Sequence, residues 1–100
     1  MLPKTQKIRK ALNQAFQGKD VVFVTPTQMR ASHLAYEIEN VLLGAKELYS
    51  PYRIFEGSRK IEVGEGTVKV YASTDAKRLA GTRADVRILD EGDILREELL

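Results

Sequence analysis

The sequence predicts a small α/β sandwich in which helices alternate with strands and at least two strands are parallel. Residues 21–24 form a continuous β-prone run that is apolar at every position, which is typical of a strand buried on both faces of its sheet. Segments with helical spacing of apolar residues stand on either side of this run. Strands that alternate with helices in this way form parallel pairs in α/β domains.

The length, composition and net charge of the sequence limit the class of protein. One hundred residues suffice for a single small domain, and 43% hydrophobic with 30% charged residues is an ordinary globular composition. The absence of cysteine excludes disulfides and thiolate metal sites, and His33 is the only histidine. No apolar run approaches the roughly 20 residues that span a bilayer, so we expect a soluble, cytoplasmic protein without membrane partners. A net charge of +2 neither requires nor excludes a nucleic acid.

The first predicted helix runs from about residue 5 to residue 17 and is ended by Gly18. Its apolar residues fall on one face, and its cations lie elsewhere. This basic surface either contacts a phosphate backbone or is an ordinary solvated helix face. The candidate nucleic-acid contacts are the cations of this helix and two that follow it: Lys7, Arg9, Lys10, Lys19 and Arg30.

The elements after residue 26 are predicted from the spacing of apolar residues, which changes along the chain. Thr27 is expected to cap a helix that runs to about residue 43. A short strand is expected near residues 53–55. Residues 60–63 and 67–72 then alternate apolar and polar positions around Gly64-Glu65-Gly66, which predicts a β-hairpin. A short helical turn is expected from Thr74 or Asp75 to residue 79, and another helix is expected to start in residues 94–100.

Two adjacent carboxylates end the last predicted strand. Val86, Ile88 and Leu89 lead to Asp90-Glu91, which places both acids at the carboxyl edge of a sheet, where ligands sit in open α/β folds. Such acids can hold Mg²⁺ and activate a water molecule. They are equally compatible with a strand that simply ends at two solvated side chains.

The order of these pieces resembles the large terminase subunit of tailed phages. The hairpin strand 67–73, the segment 74–81 and the strand 83–91 match its extended hairpin, its Ser/Ala-rich turn and its Walker B strand ending in Asp-Glu. Residues 21–35 resemble the strand and helix that follow the nucleotide-binding helix in terminases and helicases, and Pro26-Thr27 is similar to helicase motif Ia. The resemblance covers residues 4–95.

The resemblance implies a three-layer, RecA-like partial core of the P-loop NTPase fold with a β-hairpin, in one domain (residues 1–100) that is incomplete at both ends. It implies a relation to viral DNA packaging or translocation in the host-cell cytoplasm, with Mg²⁺ and ATP as cofactors. Asp90 would position Mg²⁺, Glu91 would be the general base, and Lys4 and Thr5 would be a remnant of the phosphate-binding Walker A motif.

The sequence departs from the family where a phosphate cradle is needed. The glycines of a P-loop do not precede Lys4-Thr5, and the Arg and Gly that are paired in terminases are separated here as Arg78 and Gly81. Phosphoryl transfer depends on positioning and charge neutralisation, so we do not expect ATP turnover by this chain alone.

Two other functions stay open at this point. The chain could be a non-catalytic module that binds DNA, associates with itself, or regulates a full-length ATPase or another phage protein. The third possibility is a metal-dependent nuclease whose candidate ligands are clustered in one segment: Asp85, Asp90, Glu91 and Asp93.

Overall fold

A computed structural model describes residues 3–75, 81, 83–92 and 94–98. Among them are two helices and six strands: α1 (Lys4–Phe16), β1 (Asp20–Thr25), α2 (Gln28–Gly44), β2 (Tyr52–Phe55), β3 (Lys60–Val63), β4 (Gly66–Ala72), β5 (Val86–Asp90) and β6 (Leu95–Glu98). The predicted helical turn that would end at residue 79 falls mostly outside the described residues. Neither described helix combines the length and apolar character needed to cross a membrane.

The six strands form one mixed sheet in the order β2-β3-β4-β1-β5-β6. β1 lies at its centre and runs parallel to β4 on one side and to β5 on the other. The remaining pairs are antiparallel, and β3 and β4 form the predicted hairpin. The prediction of an α/β domain with at least two parallel strands is therefore confirmed.

Both helices pack on the same face of this sheet. α1 and α2 contact each other, and both contact β1 and β4. Leu12 of α1 and Leu34 of α2 join one core with Phe23 and Val70, and all four side chains are fully or almost fully buried. The described residues therefore form two layers, one of helices and one of sheet. The three-layer, RecA-like arrangement stays a prediction.

The apolar run of β1, residues 21–24, is buried on both faces, as the sequence predicts. Val21 and Phe23 face the helices and are fully buried. Val22 and Val24 point to the opposite face, yet only 2% and 8% of their surface is exposed. The two neighbouring parallel strands flank β1 on either side, which is consistent with the burial of residues 21–24 on both faces.

The helix ends follow the predicted signals. The hydroxyl of Thr27 accepts a hydrogen bond from the backbone N–H of Arg30 at 3.2 Å, so Thr27 caps α2. α1 ends before Gly18, which has a φ of 106° in the left-handed region that glycine adopts without strain. After this turn, β1 begins two residues later, at Asp20.

The prediction of a helix in residues 94–100 is wrong for the residues that the structure describes. Leu95–Glu98 form the strand β6, which pairs antiparallel with β5. Gly92, with a φ of 92°, makes the tight turn between the two strands. The open backbone groups along β5 supply hydrogen-bond partners that the local helix preference of Leu-Arg-Glu-Glu cannot outweigh.

β2 and β6 are the outer strands of the sheet, so β5 has a neighbour on both sides. Each outer strand has four residues and carries charge, including Arg53 on β2 and Arg96 on β6. Short, charged edge strands disfavour pairing with another chain. Self-association through an exposed sheet edge stays a prediction.

Candidate functional site

The carboxyl ends of the three parallel strands meet at one edge of the sheet. Thr25 at the end of β1 is the register partner of Ala72 at the end of β4, and Val24 is the partner of Leu89, one residue before Asp90. The backbone N–H of Ser73 donates to the Thr25 carbonyl at 2.7 Å and joins the β1 and β4 ends. This edge is the predicted location of the acidic site.

Asp90 is buried at this edge and held by a charged partner. Its side chain is 1% exposed. Arg30 in the first turn of α2 donates from Nε to Oδ2 at 3.3 Å and from Nη2 to Oδ1 at 3.2 Å. The backbone N–H of Gly92 donates to Oδ1 at 3.0 Å. Both carboxylate oxygens therefore have donors, and a cation could reach Asp90 only by displacing the Arg30 guanidinium.

Glu91 points away from the buried carboxylate of Asp90. Its side chain is 47% exposed, and Oε1 accepts a hydrogen bond from Nε of Arg96. The Glu91 backbone N–H donates to the carbonyl of Ile94 at 2.8 Å and closes the turn between β5 and β6. Glu91 is thus tied to the β5–β6 hairpin.

A second polar contact closes the edge on the β4 side. Gln28, the first residue of α2, donates from Nε2 to both carboxylate oxygens of Asp75 at 3.0 Å. Ser73 donates from its hydroxyl to the carbonyl of Pro26 at 3.3 Å. These contacts join the loop after β1 to residues 73–75, the described start of the segment that follows β4.

The predicted Walker A remnant lies apart from Asp90. Nζ of Lys4 forms an ion pair with Oε1 of Glu37 at 3.3 Å, and Thr5 is exposed. Glu37 and Arg30 are seven residues apart on α2, which corresponds to about 10 Å along the helix axis. Lys4 and Asp90 are thus held by different turns of α2, and each has its own counter-charge.

Among the described acids proposed for a nuclease, Asp85 lies far from Asp90. Asp85 precedes β5, and Asp90 ends it, which separates their backbones by roughly 16 Å. Asp85 instead accepts a hydrogen bond from the backbone N–H of Asp20 at 2.9 Å at the opposite edge of the sheet. Asp93 lies outside the described residues. Across residues 3–75, 81, 83–92 and 94–98, no cluster of three His, Cys, Asp or Glu side chains could hold a metal ion.

Three of the five predicted nucleic-acid contacts, Lys7, Arg9 and Lys10, belong to α1. α1 contains four cations and no carboxylate in its 13 residues. Lys10 of this helix forms an exposed ion pair with Glu97 of β6 at 3.3 Å. No ion pair within the described part of the chain involves Lys7 or Arg9. Lys19 is exposed just after the helix, whereas Arg30 lies at the carboxyl edge with Asp90.

Sequence reasoning missed the partners of the acids. Arg30 was assigned to nucleic acid, but its guanidinium contacts Asp90, 60 residues later. Gln28 and Arg96 were not assigned any role, and Asp75 was considered only as a possible start of a helical turn. No local signal identifies the Arg30–Asp90 and Gln28–Asp75 pairs, because they depend on β4 and β5 lying on either side of β1. The Glu91–Arg96 pair depends on β6 pairing with β5.

Comparisons of this chain with protein-family models, with curated proteins and with solved structures find no match.

Proposed function

We propose that this chain is a reduced domain of the terminase or helicase kind that binds the DNA backbone and does not turn over ATP by itself. The observation that carries this proposal is the charge of α1, a helix with four Lys or Arg side chains and no Asp or Glu. Its buried residues, including Ile8 and Leu12, hold one face against the sheet. Arg9 and Lys10 are exposed to solvent, and Lys4 and Lys7 are half-buried.

The solvent side of α1 suits a phosphate backbone. Lys7 and Arg9 are the cations available for phosphate, because Lys4 and Lys10 already have carboxylate partners. Polar side chains lie among them, including Gln6 and Asn13, which are exposed. Cations and amides of this kind donate hydrogen bonds to phosphate and sugar oxygens, contacts that position a protein on DNA without selecting a sequence.

The acidic edge supports a non-catalytic function. Asp90 is buried, and both of its oxygens accept hydrogen bonds from protein donors. A carboxylate in this state stabilises the junction of α2 and β5, and Mg²⁺ could bind it only by displacing the Arg30 guanidinium. Lys4, the lysine of the predicted Walker A remnant, is paired with Glu37.

The test is a fluorescence-anisotropy titration of a short DNA duplex at several salt concentrations. If Lys7 and Arg9 contact phosphates, the double variant Lys7→Gln, Arg9→Gln will lower the slope of log K against log salt by about 2. Because fewer counter-ions are released, the double variant should bind the DNA duplex roughly 10- to 100-fold more weakly than the natural sequence at 0.1 M salt. Randomising the DNA sequence should leave the affinity nearly unchanged.

The matched control is Lys46→Gln, Arg53→Gln, which removes the same charge at positions away from α1. This control should retain the affinity and most of the salt slope. DNA binding that does not respond to salt, or equal losses in the two double variants, would exclude α1 as the contact surface.

A further inference from the structure

A half-open groove lies on the helix side of the sheet, beside the outer flank of α2. Its volume is about 520 Å³, which lies within the range of roughly 300–1,000 Å³ of small-molecule sites. α2 forms one wall, and the turn between β2 and β3 forms the other. The groove ends near Gln28 at the carboxyl edge, and neither Asp90 nor any residue of α1 is among its lining residues.

The floor of the groove is apolar and rigid. It is formed by Ile38 of α2, Ile61 of β3, and Val68 and Val70 of β4, each no more than 4% exposed. These residues belong to the central core of the domain. A ligand on this floor would bury an apolar surface against side chains that are already fixed by packing.

Two carboxylates from opposite walls lie near each other in the groove. They are Glu39 on α2 and Glu56 in the turn after β2. Burial of the carboxyl raises the pKa of Glu39 above the ordinary glutamate value, and the nearby carboxylate of Glu56 raises it further. Within the described residues, neither carboxylate has a hydrogen-bond or ion-pair partner. Their mutual repulsion would be relieved by a cation placed between them.

The cations of the groove are engaged elsewhere. Arg59 donates from Nη1 to the backbone carbonyl of Gln28 at 3.5 Å, across one end of the groove. Nζ of Lys60 lies 4.9 Å from the centroid of the Phe55 ring, in a cation–π contact. Tyr36, which is 65% exposed, adds an aromatic ring at the α2 wall.

We propose that this groove binds a small organic cation, an ammonium or guanidinium group on an apolar stem. The charged group would lie between Glu39 and Glu56, where each carboxylate can accept charge-assisted hydrogen bonds. The apolar stem would lie on the floor made by Ile61, Val68 and Val70. The ring of Tyr36 supplies an additional face for the cation.

The size and the charge of the groove favour a free small molecule over a single side chain of a partner protein. A volume of about 520 Å³ exceeds what one lysine or arginine side chain would fill. An anion is disfavoured, because it would meet the two unpaired carboxylates. An uncharged apolar ligand would leave their repulsion in place.

The test uses three probes of equal length: hexylammonium, hexanol and hexanoate. Binding is followed by the amide shifts of the full chain in ¹H–¹⁵N NMR spectra. Hexylammonium should give saturable shifts at groove residues such as Ala35 and Ile61, and the other two probes should bind at least about tenfold more weakly. Affinity for hexylammonium should fall on acidification as Glu39 takes up a proton, with Glu56, Arg59 and Lys60 as the charged groups that face it.

The variants Glu39→Gln and Glu56→Gln should each weaken hexylammonium at least about tenfold, whereas Glu47→Gln, an exposed carboxylate outside the groove, should not. Their unchanged spectra away from the groove would show that the fold persists. The proposal is overturned if hexanoate binds as well as hexylammonium, or if no probe saturates at millimolar concentration. It is also overturned if only a lysine-containing hexapeptide binds, since the site would then belong to a protein partner.

Discussion

Arg30 of α2 and Asp90 of β5 form a two-point contact, with Nε to Oδ2 at 3.3 Å and Nη2 to Oδ1 at 3.2 Å. The same guanidinium donates from Nη2 to the backbone carbonyl of Gly92 at 3.2 Å. One side chain thus fixes both the end of β5 and the turn that follows it. The pair joins the helix after β1 to the neighbouring parallel strand.

This contact predicts a strong energetic coupling between the two residues. Arg30→Met would leave the Asp90 carboxylate buried without its cation, and we expect a loss of about 2–4 kcal/mol in the free energy of unfolding. The lower end of this range reflects the partial exposure of the Arg30 side chain, 42%. Urea unfolding followed by circular dichroism measures the change.

The double variant Arg30→Met, Asp90→Leu removes both charges and should be less destabilised than the sum of its single variants by more than 1 kcal/mol, on the order expected for contacting residues. Additive losses would mean that the two side chains do not interact in solution.

Both carboxylate oxygens of Asp90 already accept hydrogen bonds from protein donors, and this predicts the outcome of a nucleotide titration. Calorimetry of the chain with Mg²⁺ and a non-hydrolysable ATP analogue should give no saturable heat, because Arg30 and Gly92 already satisfy the carboxylate. Asp90→Asn serves as the comparison. Saturable binding by the natural sequence that disappears in Asp90→Asn would identify a working nucleotide site and contradict the non-catalytic function.

Gly66 at the start of β4 allows the hairpin to approach α1. A Cβ atom added there would lie closer than 3.0 Å to the carbonyl oxygens of Ala15 and Lys19. Because both oxygens belong to the backbone, Gly66→Ala should destabilise the fold by roughly 1–3 kcal/mol.

Gly44, the last residue of α2, is the control, since an added Cβ would meet nothing within 4 Å. Gly44→Ala should be neutral or stabilising by up to about 1 kcal/mol in thermal or urea unfolding. Equal effects of the two substitutions would refute the close packing of β4 against α1.

The raised pKa of Glu39 has a defined effect on stability. Burial, with Glu56 nearby, raises the pKa in the folded chain, so the folded chain binds more protons than the unfolded chain between the two values. The contribution of Glu39 to stability therefore falls as pH rises through this interval. Glu39→Gln should be more stable than the natural sequence at neutral pH by up to about 0.5 kcal/mol.

This advantage should vanish below about pH 4, where the carboxyl is protonated in both states. Unfolding free energies at a series of pH values, with Glu47→Gln as the exposed comparison, provide the measurement. A Glu39→Gln variant that is less stable at neutral pH would mean that the carboxylate has a favourable partner.

The segments with a regular spacing of apolar residues were predictable, because that spacing shows which face of a helix or strand is buried. Leu12 and Leu34 mark the buried faces of α1 and α2, and the alternation that includes Ile61 and Val68 marks the hairpin. Thr27 and Gly18 set helix ends through local hydrogen bonding and backbone conformation. Each of these signals acts within a few residues, so no knowledge of the sheet is needed.

The segment Leu95–Glu98 was predicted as helix and is the strand β6. Its residues favour a helix when considered alone, but the strand fills the unpaired side of β5. A backbone ladder with a neighbouring strand outweighs a helix propensity of a few tenths of a kcal/mol per residue. The sequence contains no sign of this neighbour.

The sequence by itself determined the helices, the hairpin and the burial of β1, since the period of apolar residues specifies which face of an element is removed from water. Only the tertiary structure decided that Arg30 meets Asp90, that Lys4 meets Glu37, and that Glu39 and Glu56 share a groove. These pairs are 60, 33 and 17 residues apart in the chain (90 − 30, 37 − 4 and 56 − 39). Their proximity results from the packing of the two helices against each other and against the sheet. This packing depends on the strand order of the whole sheet rather than on any local pattern.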